Sequence, residues 1–477
     1  MKHTTHQKLA RRKRRIEKRL ARRRWKDQPR PILKARNIQY EVADRGRAVT
    51  CGGLGAIHLL VQHVGLPEAI DRNIDVLKVH LPYHESDHVL ALAYNILAGG
   101  TCIEDLEHLR TDEAILDGLG AQRLPDPTTA GDFCRRFTSD AQVLLLQETF
   151  NESRLKVWKQ QPPEFFAQAV VDADGTIAPT YGECKQGMDI SYNNQWSYHP
   201  LLISLANTKE PLYLVNRGGN RPSHEQADEY LDKAIVLCER AGFQRILLRG
   251  DTDFTQTWKL DGWDARGNVT FIFGADDTRG RRALAEALPA TAWRRLKRPA
   301  KYEVKTQERT KPENVKERIV RERGYTNFVL LWEEYRHFFH ITNDRASTAE
   351  AVVFSANDRC DQENLIEQLK NGVKAMRNPL DTLHSNWAYM VMSSLAWSLK
   401  AWCGLLLPVT PGWDWRHEQE KRSLVQMEFK RFLASMIRLP AQIVRTGRRI
   451  IYRLMGWNPW VSCLLRLAEA MHRPLRC

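Results

Sequence analysis

The sequence predicts a mixed α/β catalytic core flanked by an N-terminal helical region and a C-terminal helical, basic segment. Three observations predict it. Helical periodicity dominates residues 37–165. Short β-type apolar runs begin at Phe166, and a long helical pattern returns at about Ala349.

The elements follow in order. Residues 1–36 form a basic arm. They hold 16 Lys/Arg against Glu17 and Asp27, so +14 of the chain's net +15 sits there and the remaining residues carry about +1. The run Arg11, Arg12, Lys13, Arg14, Arg15, continued by Arg22, Arg23 and Arg24, reads as a phosphate-backbone binder. Leu9, Ile16, Leu20 and Trp25 give too thin an apolar face for a membrane-surface helix. A helix over about Thr5 to Trp25 is expected when the arm is bound, stopped by Pro29 and Pro31.

Residues 37–165 are expected to form a helical region, with amphipathic segments at Gly55–His63, Asp87–Leu97 and Ala141–Trp158. Strand-like runs then fall at Ala167–Asp174, Trp196–Leu205, Leu212–Val215, Arg245–Arg249 and Val269–Phe273, with a helix at His224–Arg240. Residues 166–275 are the first part of the core. A β-rich insertion is expected over 276–350, with strands at Asn327–Trp332 and His337–Thr342. The second part of the core covers 351–408 and a basic segment covers 409–477, including Arg445, Arg448, Arg449 and Arg453. The apolar stretch Trp387–Leu407 holds Lys400 and three serines, which favours a buried core helix over a membrane span.

Three acidic residues carry the chemistry. Asp174 ends the run Val170-Val171-Asp172-Ala173-Asp174-Gly175. Asp251 ends Ile246-Leu247-Leu248-Arg249-Gly250, and Glu363 lies in a distant helical pattern. Two carboxylates at strand ends and a third on a helix can build a two-metal site for phosphodiester chemistry, because such charges repel unless cations lie between them or their pKa values rise. Asp172 projects from the same strand face as Asp174 and is the alternate ligand. At 100° per residue, Arg359, Glu363 and Lys370 fall within about 40° of one another, beside an apolar stripe of Leu365, Ile366, Leu369, Val373 and Met376. A solvated row of ion pairs is the structural alternative for that face.

The order Asp, Asp, Glu, with an insertion before the Glu, resembles the DDE transposases of bacterial insertion sequences. Arg359, Glu363 and Lys370 match the spacing of a tyrosine–arginine–glutamate–lysine signature, whose tyrosine position is Ala356 here. Asp172-Ala-Asp174-Gly-Thr176, His199-Pro200-Leu201, Arg217-Gly-Gly-Asn220 and Arg249-Gly-Asp251-Thr-Asp-Phe254 resemble insertion-sequence family thirteen-eighty over roughly residues 50–450. The resemblance implies an RNase H-like core and two Mg²⁺ or Mn²⁺ ions held by Asp174, Asp251 and Glu363. It implies double-stranded DNA as partner, as terminal inverted repeats and target, with cut-and-paste movement and a homodimer at synapsis, and DNA binding and dimerisation through the helical region 37–165. Arg359, Lys370 and Arg217 would contact that DNA. A structure-specific nuclease on the same core and an inactive DNA-binding regulator are the alternatives.

Nine scattered cysteines form no C-x-x-C pair, and no apolar h-region follows the charged N-terminus, so free thiols in a bacterial cytoplasm, at the nucleoid, are expected. His84-Glu85-Ser86-Asp87-His88 matches the H-E-x-x-H zinc pattern. With Ser86 expected as N-cap, His84 would precede the helix and the pairing of His84 with His88 would break.

Overall fold

The computed structural model describes residues 3–21, 47–80, 82–182, 184–293, 337–447 and 449–475. Arg22, Arg23, Arg24, Arg448 and the expected strand Asn327–Trp332 lie outside them.

A six-stranded mixed sheet forms the centre. In spatial order its strands are Phe339–Thr342, Val269–Ala275, Ile246–Gly250, Ala169–Gly175, Leu201–Leu205 and Glu210–Val215. The first three strands in sequence, Ala169–Gly175, Leu201–Leu205 and Glu210–Val215, pair antiparallel. The helix Ala227–Ala241 then crosses over, so Ile246–Gly250 returns parallel to Ala169–Gly175, and Val269–Ala275 runs parallel beside it. The central strands are buried, and their sequences are accordingly near-continuous apolar runs.

The sheet departs from the sequence reading at one edge. Phe339–Thr342 pairs antiparallel with Val269–Ala275. The run expected within the insertion therefore completes the central sheet, and the second part of the core starts before residue 351. Residues 294–336 between the two strands lie outside the described residues; the described part of that stretch holds the helix Arg279–Glu286.

Helices cover the sheet. Leu383–Leu405 is buried along nearly its whole length, and no single helix among the described residues is long and apolar enough to cross a membrane. A buried polar network ties this helix and the helix Asp140–Trp158 to the sheet. Arg154 donates from Nε to Glu210 Oε1 at 3.0 Å and from Nη2 to the Pro211 carbonyl at 2.8 Å. The indole N–H groups of Trp158 and Trp402 donate to the Glu210 carboxylate at 3.0 and 2.7 Å. Glu210 is 0% exposed. A carboxylate this deep is tolerable because a guanidinium and two further donors replace its water.

The C-terminal segment is no separate appendage. Its hairpin, Ala441–Thr446 with Arg449–Leu454, adds a third strand from Ala48–Val49. Gly52 and Gly53 make this junction possible. A Cβ on Gly53 would overlap the Met436 carbonyl, and Gly52 N–H donates to Leu439 O at 2.8 Å. The basic arm docks here as well. Its helix His3–Ala21 lays Arg12 on the Leu454 and Gly456 carbonyls and Lys13 over the Trp457 ring.

Candidate active site

Sheet register brings the first two acids together. Asp172 pairs with Arg249 across adjacent parallel strands, so two residues further on Asp174 and Asp251 leave the sheet level with each other. Gly250 serves packing at that point, since a Cβ there would lie 2.7 Å from Phe254 Cβ and 3.0 Å from Phe273 Cδ1. After Gly250 the chain turns into a short 3₁₀ segment, Thr252–Phe254, whose first turn Asp251 caps by accepting from Asp253 N–H at 3.0 Å.

One guanidinium spans both carboxylates. Arg359 Nη1 lies 3.3 Å from Asp174 Oδ2, and its Nη2 lies 3.8 Å from Asp251 Oδ2. The Asp174 side chain is 16% exposed and that of Asp251 is 42% exposed. Burial pushes the Asp174 carboxyl up from 3.8 to about 6; Arg359 opposes this, while the charges of Asp251 and Glu363 add to it. Asp251 moves up for the same first reason, burial, with Arg359 again opposing and Asp253 adding. Glu363 is exposed on the helix Cys360–Glu367, within electrostatic reach of Asp174.

What holds Glu363 there is its neighbour. Gln362 is 2% exposed and donates from Nε2 to the Asp172 and Leu202 carbonyls at 3.3 and 3.2 Å, while its Oε1 accepts from Ser204 Oγ. The glutamate helix is thus clamped to the two strands beside Asp174. The helix gives way to a π turn at Gln368–Gly372, so the uniform 100° step used to align Lys370 with Arg359 and Glu363 does not run through the segment. Lys370 is nonetheless felt by Asp174; burial lowers its pKa, with Glu367 and Asp174 opposing.

A family model for the transposase DDE domain, group 1, matches residues 31–475. The chain belongs to this transposase family. Among solved structures the chain matches a piggyBac transposase synaptic complex with hairpin DNA, solved by cryo-electron microscopy, at 11% identity and a TM-score of 0.35 over 82% of this chain and 84% of that one. No curated protein sequence matches it.

Two expected site residues serve other purposes in the transposase. Asp172, the alternate metal ligand, is 1% exposed and is bound through both oxygens by Arg249, at 2.6 and 2.8 Å. Burial raises its pKa against the pull of Arg249. Asp172 is thus engaged as the counter-ion of a buried arginine and is closed off from solvent. Arg217, expected at DNA, is 4% exposed. It donates to the carbonyls of His199, Pro222, Ser223 and Glu225, which fixes the loop beside the site; burial lowers its pKa to about 10. In the arm, Arg11, Lys13, Arg14 and Arg15 are exposed, whereas Arg12 is engaged with backbone carbonyls.

Sequence reasoning missed Arg249, Gln362 and His199. A lone arginine in Ile-Leu-Leu-Arg-Gly was a signal, since a buried charge demands a partner. His199 Nδ1 donates to the Arg221 carbonyl at 2.7 Å, and its Nε2 lies 3.0 Å from where a Cβ on Gly175 would sit, so this ring closes one side of the Asp174 strand end. Nothing in the sequence singled out Gln362.

The donor set suits a hard divalent cation. Asp174, Asp251 and Glu363 offer only oxygen, and the upward shifts of the two aspartates come first from burial, with neighbouring carboxylates adding to them. The three are not closed into one knot. Among the described residues, the His/Cys/Asp/Glu group whose ligand atoms all lie within 4.8 Å of one another is His80, His84 and Glu85. A guanidinium, that of Arg359, bridges two of the three acids.

Proposed function

We propose that this transposase binds the terminal inverted repeats of an insertion sequence as a homodimer in the bacterial cytoplasm, cuts their strands, and joins the freed 3′ ends to target DNA. Asp174, Asp251 and Glu363 are the catalytic acids, on an RNase H-like core. Numbered in sequence, the first five strands of the sheet lie in the order 3-2-1-4-5, and this order supports that core. The observation that carries the reading is the register that sets Asp174 and Asp251 level under one guanidinium.

Two Mg²⁺ or Mn²⁺ ions would be held by Asp174, Asp251 and Glu363, and when bound they supply activation of the attacking oxygen and stabilisation of the departing one. The chain's own residues do the rest. Arg359 neutralises the acids in the resting site and turns to the DNA phosphate when cations take over that charge balance. Lys370 adds a second cation on the phosphate side. Arg217 and Gln362 fix the loop and the helix that frame the site. Water attacks a phosphorus atom and a 3′-OH leaves; that 3′-OH then attacks a target phosphorus and displaces a target 3′ oxygen. Bonds balance in both steps without a covalent protein intermediate.

The test is Asp251→Asn, which keeps the size of the side chain. DNA binding is expected to persist while Mg²⁺-dependent nicking of an end-containing duplex disappears. Full nicking by the variant removes Asp251 from the site.

A further inference from the structure

The H-E-x-x-H pattern does not form a zinc site as written, yet a different trio gathers there. The helix starts at Glu85, with His84 as N-cap rather than Ser86. His88 is 3% exposed and stacks on Phe133 at 4.4 Å between centroids, turned into the core. Its place beside His84 is taken by His80, from the loop before the helix.

His80 and His84 stack at 4.5 Å with only 11° between their planes. Glu85 Oε2 lies 3.0 Å from His80 Nε2. The Glu85 side chain is 1% exposed, and its other oxygen accepts from the Val76 and Leu77 amides at 3.2 and 3.0 Å. One carboxylate oxygen is therefore fixed by backbone and the second is aimed at two solvent-accessible imidazoles. Two protonated imidazoles would repel at this spacing, while two neutral ones can share a cation.

We infer that His80, His84 and Glu85 form a binding site for a divalent transition-metal ion, with Zn²⁺ the best fit. Two imidazoles and a carboxylate are the ligand types this ion takes, at about 2.0–2.2 Å each, and a small rotation of the exposed rings closes the present spacing. Mg²⁺ has little affinity for imidazole, so this site and the all-oxygen acidic site select different ions. With three protein ligands the fourth position stays open to water. Positive charge at a helix N-terminus is disfavoured, and the carboxylates of Glu85 and Asp87 in the first turn offset that.

The ion would tie the loop ending at His84 to the helix Glu85–Ala98. Leu77 and Tyr83 of that loop line a cleft of about 620 Å³ together with Arg110, Arg123 and Arg136. Asp126 and Asp132 line it too, and a bound ion would therefore stiffen one wall of a charged cleft.

The test uses the full-length protein, stripped of metal with a chelator, exchanged into chelator-free buffer, and held in excess Mg²⁺. Zn²⁺ is titrated by calorimetry and Co²⁺ by visible absorption. Wild type and Asp251→Asn are expected to bind one more equivalent of Zn²⁺ than the double variant His80→Ala/His84→Ala. Co²⁺ should give ligand-field bands that the double variant lacks. His84→Ala alone should weaken binding roughly tenfold or more. Both histidines are exposed, so the variants should fold, and matching circular dichroism checks this. Equal stoichiometry and affinity in wild type and double variant overturns the site. Loss of nicking by Asp251→Asn is a separate readout and leaves this result untouched.

Discussion

Two arginine–carboxylate centres in this transposase look alike on paper and behave differently. At Glu210, Arg154 and two indole donors satisfy a carboxylate with no solvent exposure. At Asp174 and Asp251, a single guanidinium is stretched between two carboxylates, at 3.3 and 3.8 Å, and one of them stays 42% exposed. The first centre is saturated and closed, and it ties the helices holding Arg154 and Trp402 to a sheet strand. The second is short of positive charge and open. Saturation marks a structural tie; shortage marks a place prepared for a cation and a phosphate.

The largest expected effects separate the two centres by kind. Asp174→Asn or Asp251→Asn should abolish Mg²⁺-dependent DNA cleavage while raising thermal stability at neutral pH, because each removes a charge that burial disfavours. Glu210→Gln should do the reverse. It leaves the Arg154 charge buried without its counter-ion, at a cost of about 3–5 kcal/mol, read as a lowered denaturation midpoint. If Glu210→Gln is neutral and Asp174→Asn unfolds the chain, the distinction fails.

Acidity sharpens the same comparison. The folded pKa of Asp174, about 6, lies above its unfolded value of 3.8, so the folded state binds the proton more tightly. Stability from this group is fully present below about pH 4 and is lost as pH rises through 6, by about 3 kcal/mol in all. Divalent cations should offset that loss. Adding Mn²⁺ should raise the melting temperature by about 1–3 °C at pH 8 and by much less at pH 5, with the difference gone in Asp174→Asn. An equal rise at both pH values would place the ion elsewhere.

The smallest expected effect belongs to the arm. Arg14→Ala with Arg15→Ala should weaken DNA binding and reduce its salt slope by about 2, whereas Arg12→Ala should act mainly on stability through the Leu454 and Gly456 carbonyls. An unchanged slope in the first variant means those side chains do not meet phosphate.

Much of this was legible in the sequence. The apolar runs ending at Asp174 and Asp251 became adjacent parallel strands because, after two antiparallel strands, the helix Ala227–Ala241 carries the chain back across the sheet. Other features depend on contacts no local pattern encodes. His337–Thr342 read as part of an insertion, yet its pairing partner is a core strand fixed by long-range register. Arg217 sat in a glycine-rich motif and was expected at DNA; its guanidinium instead gathers four carbonyls of a folded loop. Asp172 and Asp174 share a strand face, and only the arginine opposite Asp172 distinguishes them. The π turn broke the helical phase that aligned Lys370 with Glu363.

The central claim is that Asp174, Asp251 and Glu363, far apart in sequence, hold the same divalent ions. Fe²⁺ can stand in for Mg²⁺ and, with ascorbate and peroxide, cuts a polypeptide close to where it is bound. In the His80→Ala/His84→Ala background, cuts are expected at three separate places, beside residues 174, 251 and 363, and excess Mg²⁺ should suppress all three together. Cuts near 174 and 251 with none near 363, or cuts that Mg²⁺ leaves untouched, would contradict a shared site.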